Sequence, residues 1–339
     1  MEYRQLGRSG LTVSRLALGT MTFGAATWGC DEPASRQLID RYLAAGGNFI
    51  DTADGYGASE DICGRALAGR RDAVVLSTKC GLPTAGQGVN GCGASRRHLR
   101  AACETSLRRL QTDRIDVYHV HMEDPDTPLE ETLAALDELV RAGKVLYPAV
   151  SNFRAWRLMK ALAIADRRGY ARCVSLQAQY NLAVRAMERE HFALLAEEGL
   201  GFVSWSPLAA GLLSGKFSTG VPAGDTRLVQ RSFESDRLIL NEQGLRVAKV
   251  LGEVAAEIGA SAAQVALAWQ LARPEVDSVI IGVRNAAQLD DNLASLQLRL
   301  TPQAIARLEA PAALPSEYPG AFIDTFSRWM RRVRAGGAR

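Results

Sequence analysis

Asp51-Thr52-Ala53-Asp54-Gly55-Tyr56-Gly57 sets a carboxylate and a phenol five residues apart, where an apolar segment gives way to a glycine-flanked loop. Asn48-Phe49-Ile50 before it reads as a short buried strand, and Ile62 and Leu67 after it mark the apolar face of a helix. A free phenol titrates near ~10, so a tyrosine that exchanges a proton at neutral pH needs a cation beside it. Lys79 is the candidate. It closes the next apolar run, Val74-Val75-Leu76-Ser77-Thr78, and strands adjacent in sequence usually neighbour in space. The following run, Ile115-Asp116-Val117-Tyr118-His119-Val120-His121, ends in a histidine, so three successive strands each end in a reactive side chain. Ligands of parallel α/β sheets bind at the carboxyl ends of the strands, and the pattern predicts a composite site there.

On both sides of this segment, strand and helix patterns alternate. Tyr3-Arg4-Gln5-Leu6 and Leu11-Thr12-Val13-Ser14 flank a Gly/Ser turn and predict a hairpin. Leu16-Ala17-Leu18-Gly19-Thr20 is a first core strand, with Met21, Phe23 and Trp28 in the loop after it. Leu38, Ile39 and Leu43 form one helix face ended by Gly46-Gly47, and Leu99, Cys103, Leu107 and Leu110 form another after Ser95. Thr127-Pro128-Leu129-Glu130 predicts a helix start with Thr127 as cap and Pro128 at the first helical position. Leu129, Leu133, Leu136 and Val140 are its apolar stripe and Gly143 its end. Further strands are Val145 to Ser151, in which Pro148 cannot donate to a ladder, then Val174 to Gln177, Gly201 to Trp205 and Ser278 to Ile281.

Eight strand-helix units predict an α/β fold, a (β/α)8 TIM barrel with an N-terminal β-hairpin and long substrate loops. The expected organisation is a single domain over residues 1–339, with 311–339 a C-terminal tail. The loops are Gly81 to Ala94, which follows Lys79 directly, and Gly215 to Asn241.

With 339 residues, 47% hydrophobic and 23% charged, the chain has the composition of a soluble protein with a large core. A formal charge of +3 spread along it gives no nucleic-acid signature, and Arg328, Arg331, Arg332 and Arg334 read as the solvated face of a terminal helix. The six cysteines lack disulfide-framework or zinc spacing and are expected as reduced thiols. His119 and His121 share a strand face, but no third ligand accompanies them, and no metal is expected. Without an apolar leader or a run of ~18 apolar residues, the expectation is a cytoplasmic protein, monomeric or weakly homo-oligomeric, with no nucleic-acid or membrane partner.

In order and local motif, Asp51, Tyr56, Lys79 and His121 resemble the catalytic tetrad of the aldo-keto reductases, bacterial-type members related to the potassium-channel beta-subunit-like branch. The resemblance covers roughly residues 3 to 310 and implies reversible NADP(H)-dependent reduction of an aldehyde or ketone to an alcohol. In that chemistry Tyr56 is the general acid, Lys79 lowers its pKa, Asp51 orients the ammonium, and His121 donates a hydrogen bond to the carbonyl.

Gly86-Gln87-Gly88-Val89-Asn90-Gly91 matches Gly-x-Gly-x-x-Gly but begins well after Lys79 instead of in the tight turn between strand and helix, so it is read as a substrate loop. Leu213-Ser214-Gly215-Lys216 lacks the remaining residues of a P-loop. The resemblance instead implies that NADP contacts Ser151, Asn152 and Gln177 through its carboxamide, stacks on Trp205, and is covered by Ser206, Pro207, Leu208, Gly211, Leu213 and Lys216. Gly282, Val283, Arg284, Gln288, Asp291 and Asn292 resemble the adenosine end, and Thr20, Met21 and Asp51 join the cofactor-contacting set. Asn285 and Gln288 are a helix cap and its third position, and a helix start beside Arg284 suits a 2'-phosphate; Gly282 stands where some members carry lysine, which leaves Arg284 and Arg227 to supply charge.

The substrate is expected to meet Trp28, His121, the two long loops and the segment from Tyr318 to Trp329. Two other readings remain at the sequence level: a Schiff-base lyase or aldolase using Lys79, and a nucleotide-binding redox-sensor subunit with little turnover.

Overall fold

The protein is described from a computed structural model covering residues 1–25, 27–84, 88–221, 228 and 239–336. Strands β1 (Tyr3–Gln5) and β2 (Thr12–Ser14) pair as an antiparallel hairpin. There follow β3 (Leu16–Gly19), α1 (Glu32–Ala44), β4 (Phe49–Asp51), α2 (Ser59–Ala66), β5 (Val75–Cys80), α3 (Arg96–Leu110), β6 (Ile115–Val120) and α4 (Leu129–Arg141). After β7 (Val145–Ser151), α5 (Ala155–Arg168), β8 (Ser175–Gln179), α6 (His191–Glu198) and β9 (Gly201–Trp205), helices α7 (Glu242–Ile258) and α8 (Ala262–Leu271) lead to β10 (Ser278–Gly282). Helices α9 (Ala286–Ala294), α10 (Pro302–Glu309) and α11 (Gly320–Arg334) complete the order. The eight parallel strands β3 to β10 pair in sequence order, and β10 closes on β3: a (β/α)8 barrel.

Period-two alternation sorts the side chains of each strand. Leu18, Ile50, Leu76, Tyr118, Val150, Leu176, Phe202 and Ile281 point outward and join the large core under the helices. Ala17, Phe49, Val75, Val117, Ala149, Val203 and Ile280 point inward and form a separate apolar layer, sealed by Leu6 and Val13 of the hairpin. The hairpin reaches this layer because two glycines meet: a Cβ on Gly7 (φ +57°) would lie 2.4 Å from the Gly201 nitrogen. Asp277 pins the contact by accepting from the Gly7 and Phe202 amides. One inward position further along, the strands turn polar, and that change places the site.

The Thr127 cap is a correction. Pro128 occupies the cap position of α4 with no side-chain cap bond, and the Thr127 hydroxyl donates to Asp124 instead. Asp124 also accepts from the Asp126 and Thr127 amides, and this turn outcompetes the capping box for the hydroxyl. Pro148 is tolerated inside β7. Its carbonyl accepts from Val174, just before β8 begins, so the missing N–H faces the neighbour ahead of its ladder.

Candidate active site

The inward polar positions of neighbouring strands converge on Asp51. Lys79 Nζ donates to its Oδ2 at 2.6 Å, while Ser77 Oγ and Gln177 Nε2 donate to Oδ1 at 3.0 and 2.9 Å. Register explains the meeting: Asp51 on β4 lies beside Ser77 on β5, and Lys79 lies beside His119 on β6. The Lys79 side chain is 1% exposed, so its ammonium has left water and depends on its partners. Besides Asp51 it donates to the Thr52 carbonyl at 2.8 Å. Burial works against this cation, yet Asp51 and then Tyr56 hold its pKa above the ordinary lysine value.

Tyr56 and His121 stand half-buried above this pair. The ammonium lies 5.0 Å from the Tyr56 ring centroid, and the Tyr56 and His121 rings meet edge to face at 5.8 Å. The four predicted residues are thus together. The direction of the Tyr56 pKa differs from expectation: burial raises it, Lys79 pulls it back, and the net result lies above the ordinary phenol value. Lys79 therefore offsets a desolvation cost without making the phenolate the resting form. Burial and the Lys79 charge push His121 down to about 3, so its ring is neutral at neutral pH, with Nδ1 buried and unpartnered. His119 lies beneath, fully buried, with Nδ1 3.3 Å from Ser77 Oγ. Among the described residues no group of three His, Cys, Asp or Glu side chains could hold a metal ion.

Asn152, in left-handed conformation (φ +55°) after β7, donates to the His121 carbonyl and to Ser151 Oγ, and accepts from Trp205 Nε1 at 3.0 Å. Beyond Trp205 the backbone is strained: Ser206, Ala209 and Ala210 all have φ between 49° and 53°. Each such residue costs about 1 kcal/mol or more, and the turn closes on itself, the Ala209 and Gly211 amides donating to the Ser206 and Leu208 carbonyls and the Ala210 amide to Ser206 Oγ. Buried Asn181 holds this turn by donating to the Ser206 carbonyl at 2.9 Å. Arg284 is exposed at the start of α9, where Asn285 caps the Gln288 amide and Gln288 Oε1 accepts from Arg284 N.

Other predicted residues have different surroundings. The Leu213 and Val283 side chains are buried in the core, which leaves only their backbone for a ligand, and the Val283 carbonyl accepts from Thr22. Asp291 accepts from Ser261 and Gln264, Asn292 is buried, Gly282 and Lys216 are exposed, and Leu208 packs against the core. Pro207 is buried and its carbonyl accepts from Gln270, Gly211 takes φ +104°, and Thr20 donates to the Asp51 carbonyl. Arg227 lies outside the described residues.

A cavity of about 380 Å³ opens beside Tyr56, lined mainly by apolar side chains, among them Met21, Phe23, Trp28 and Leu82. Sequence reasoning missed Ser77, Asn181 and Asp54. The first is one of two adjacent hydroxyls, with Thr78, in a strand run, the second a single amide in a loop. Asp54 is 5% exposed, with Oδ1 unpartnered, and burial together with Glu60 lifts it to about 7. Only its place inside the motif around Tyr56 could have signalled it.

The model of the Aldo/keto reductase family matches residues 15–312. The chain is 40% identical over 322 residues to an uncharacterized oxidoreductase of Bacillus subtilis (strain 168), covering 91% of this chain and 95% of that one. It is 37% identical over 321 residues to a probable voltage-gated potassium channel subunit beta of Oryza sativa subsp. japonica, covering 91% of this chain and 96% of the relative. A versiconal hemiacetal acetate reductase of Aspergillus parasiticus is 35% identical over 351 residues, covering 94% and 99%. With the closed barrel and the polar cluster at its carboxyl end, these matches identify an oxidoreductase, and the chain belongs to the aldo/keto reductase family.

Proposed function

We propose that the protein reduces an aldehyde or ketone to its alcohol with NADPH, and that Tyr56 delivers the proton. The observation that carries this reading is the Asp51–Lys79 pair, with the Tyr56 ring above the ammonium and a neutral His121 against that ring. NADPH, when bound, supplies the hydride.

The remaining chemistry falls to the chain. Tyr56, its pKa raised, keeps its proton at neutral pH and offers it to the alkoxide that develops on the substrate oxygen. As that proton leaves, the Lys79 charge stabilises the phenolate, and Asp51 keeps the ammonium in place. Neutral His121, whose buried Nδ1 has no partner, donates to the carbonyl from Nε2 in the tautomer that carries the proton there. The apolar cavity beside Tyr56 suits a partly apolar substrate.

The residues present fit the nucleotide. Asn152 offers its amide group beside Trp205, which gives an aromatic face for the nicotinamide, Gln177 stands on β8 between their strands, and the strained turn from Ser206 to Gly211, whose Ala209, Ala210 and Gly211 amides bond within the turn, lies where it would cover the pyrophosphate. Exposed Arg284 at a helix start supplies the charge that favours a 2'-phosphate and so NADPH over NADH. A Schiff base at Lys79 is disfavoured because that amine is buried, ion-paired and held protonated.

Tyr56→Phe removes the proton and little volume. Reduction should fall by about 10²- to 10⁴-fold while NADPH affinity stays the same. Unchanged turnover would remove Tyr56 from the mechanism, and wild-type protein that holds NADPH without turning over would favour the reading as a nucleotide-binding redox-sensor subunit.

A further inference from the structure

Seven large apolar side chains stay exposed in one segment, Tyr318 to Val333, and no residue of α11 is buried. At 3.6 residues per turn, Phe322, Ile323, Phe326, Trp329, Met330 and Val333 fall on one arc of about 120°. The stripe is continuous, with ring centroids 4.4 Å apart for Phe322 and Phe326 and 6.2 Å for Phe326 and Trp329. The rest of the helix carries Arg328, Arg331, Arg332 and Arg334 against Asp324; four positive charges and one negative leave +3. An isolated helix of this length is marginal in water, so its apolar face calls for a surface to cover it.

Position and charge indicate which surface. The segment is tied down by an ion pair between Glu317 and Arg189, and Arg189 lies in the loop after β8, at the barrel end that carries Tyr56. Further exposed apolar side chains stand at the same end: Val89 after β5 (96% exposed), Met122 after β6 (48%) and Trp156 in the first turn of α5 (57%). The α11 stripe offers roughly 500 Å² of apolar surface. A stable protein pair needs about 800 Å² from each partner. Two α11 helices packed on each other would also set +3 against +3.

We propose that α11 docks the protein on an anionic lipid surface, lying in the plane of the headgroups with its aromatic stripe inserted and its arginines on the phosphates. Among the described residues no single helix is long and apolar enough to cross a membrane, so the association is peripheral, and it revises the expectation of no membrane partner drawn from the lack of a spanning segment.

Flotation of the full chain with phosphatidylcholine vesicles, with and without added phosphatidylserine, tests this. The protein is expected to float with the serine-containing vesicles and to be released by high salt. Arg331→Gln/Arg332→Gln should lower partitioning about 25-fold, at roughly fivefold per arginine. Phe326→Ser/Trp329→Ser should abolish it with an unchanged circular-dichroism melt, and the arginine variant keeps the test decisive if this one fails to fold. Failure to float with either vesicle would overturn the proposal. So would a stable dimer in buffer, seen by light scattering and dissociated by Phe326→Ser/Trp329→Ser, since it would assign the face to a second copy.

Discussion

Lys79 and Tyr56 share an environment that raises both pKa values, Tyr56 because burial outweighs the cation and Lys79 because the anions outweigh burial. The sign sets the pH profile. Tyr56 keeps its proton below its raised pKa, so reduction should be flat through neutral pH and decline only in the alkaline range, whereas alcohol oxidation, which needs the phenolate, should climb as pH rises. His121, lowered to about 3, should add no inflection near 6.5. A kcat/KM profile for reduction that bends near 6.5 would show that the ring is not buried as described. Asp54 acts on stability with its own sign. Its folded pKa of about 7 exceeds the unfolded value, so native protein is penalised as pH rises from about 4 to 7. Asp54→Asn should therefore stabilise the fold by about 2–4 kcal/mol at pH 8 and leave it nearly unchanged at pH 4. Equal melting shifts at both values would contradict that. The meeting of Asp51, Tyr56, Lys79 and His121 could be read from sequence because each sits at or beyond a strand end. The protonation of Asp54 could not, since it depends on burial and on Glu60 at α2, which periodicity does not report.

Among the elements, the strands were legible in position, and the structure adds their faces. Runs such as Val75 to Cys80 alternate so that Ser77 and Lys79 point inward and Leu76 and Cys80 point out. The start of α4 was misread because a Thr-Pro cap pattern cannot show that Asp124 takes the hydroxyl. The turn after β9 was legible as a place but not as a strained shape, for its left-handed residues are Ser206, Ala209 and Ala210 instead of glycines. Asn181 holds that turn through its bond to Ser206 O while accepting from the Ala183 and Val184 amides. Asn181→Ala should cost about 1–3 kcal/mol in denaturant unfolding and weaken NADPH binding about tenfold, with a smaller effect on kcat. A fall in kcat without loss of affinity would place the turn in catalysis instead of nucleotide binding.

For the whole molecule, eight strand-helix units and three reactive strand ends were enough to reach the barrel and the family, because closure brings all strand ends to one rim. The exposed apolar stripe of α11 was not legible, since a basic amphipathic segment looks the same whether it packs on its own barrel or faces outward. The same rim that holds Tyr56 presents Asn152, Trp205 and Arg284, the groups proposed to face the nucleotide. Single-turnover oxidation of NADPH and NADH by a panel of aldehydes and ketones, with protein in excess over nucleotide, tests whether that rim is a reductase site. NADPH should be oxidised in one phase by at least one carbonyl compound, and NADH at least about tenfold less effectively. If neither nucleotide is bound or oxidised with any member of the panel, the barrel end does not carry out nicotinamide-dependent reduction.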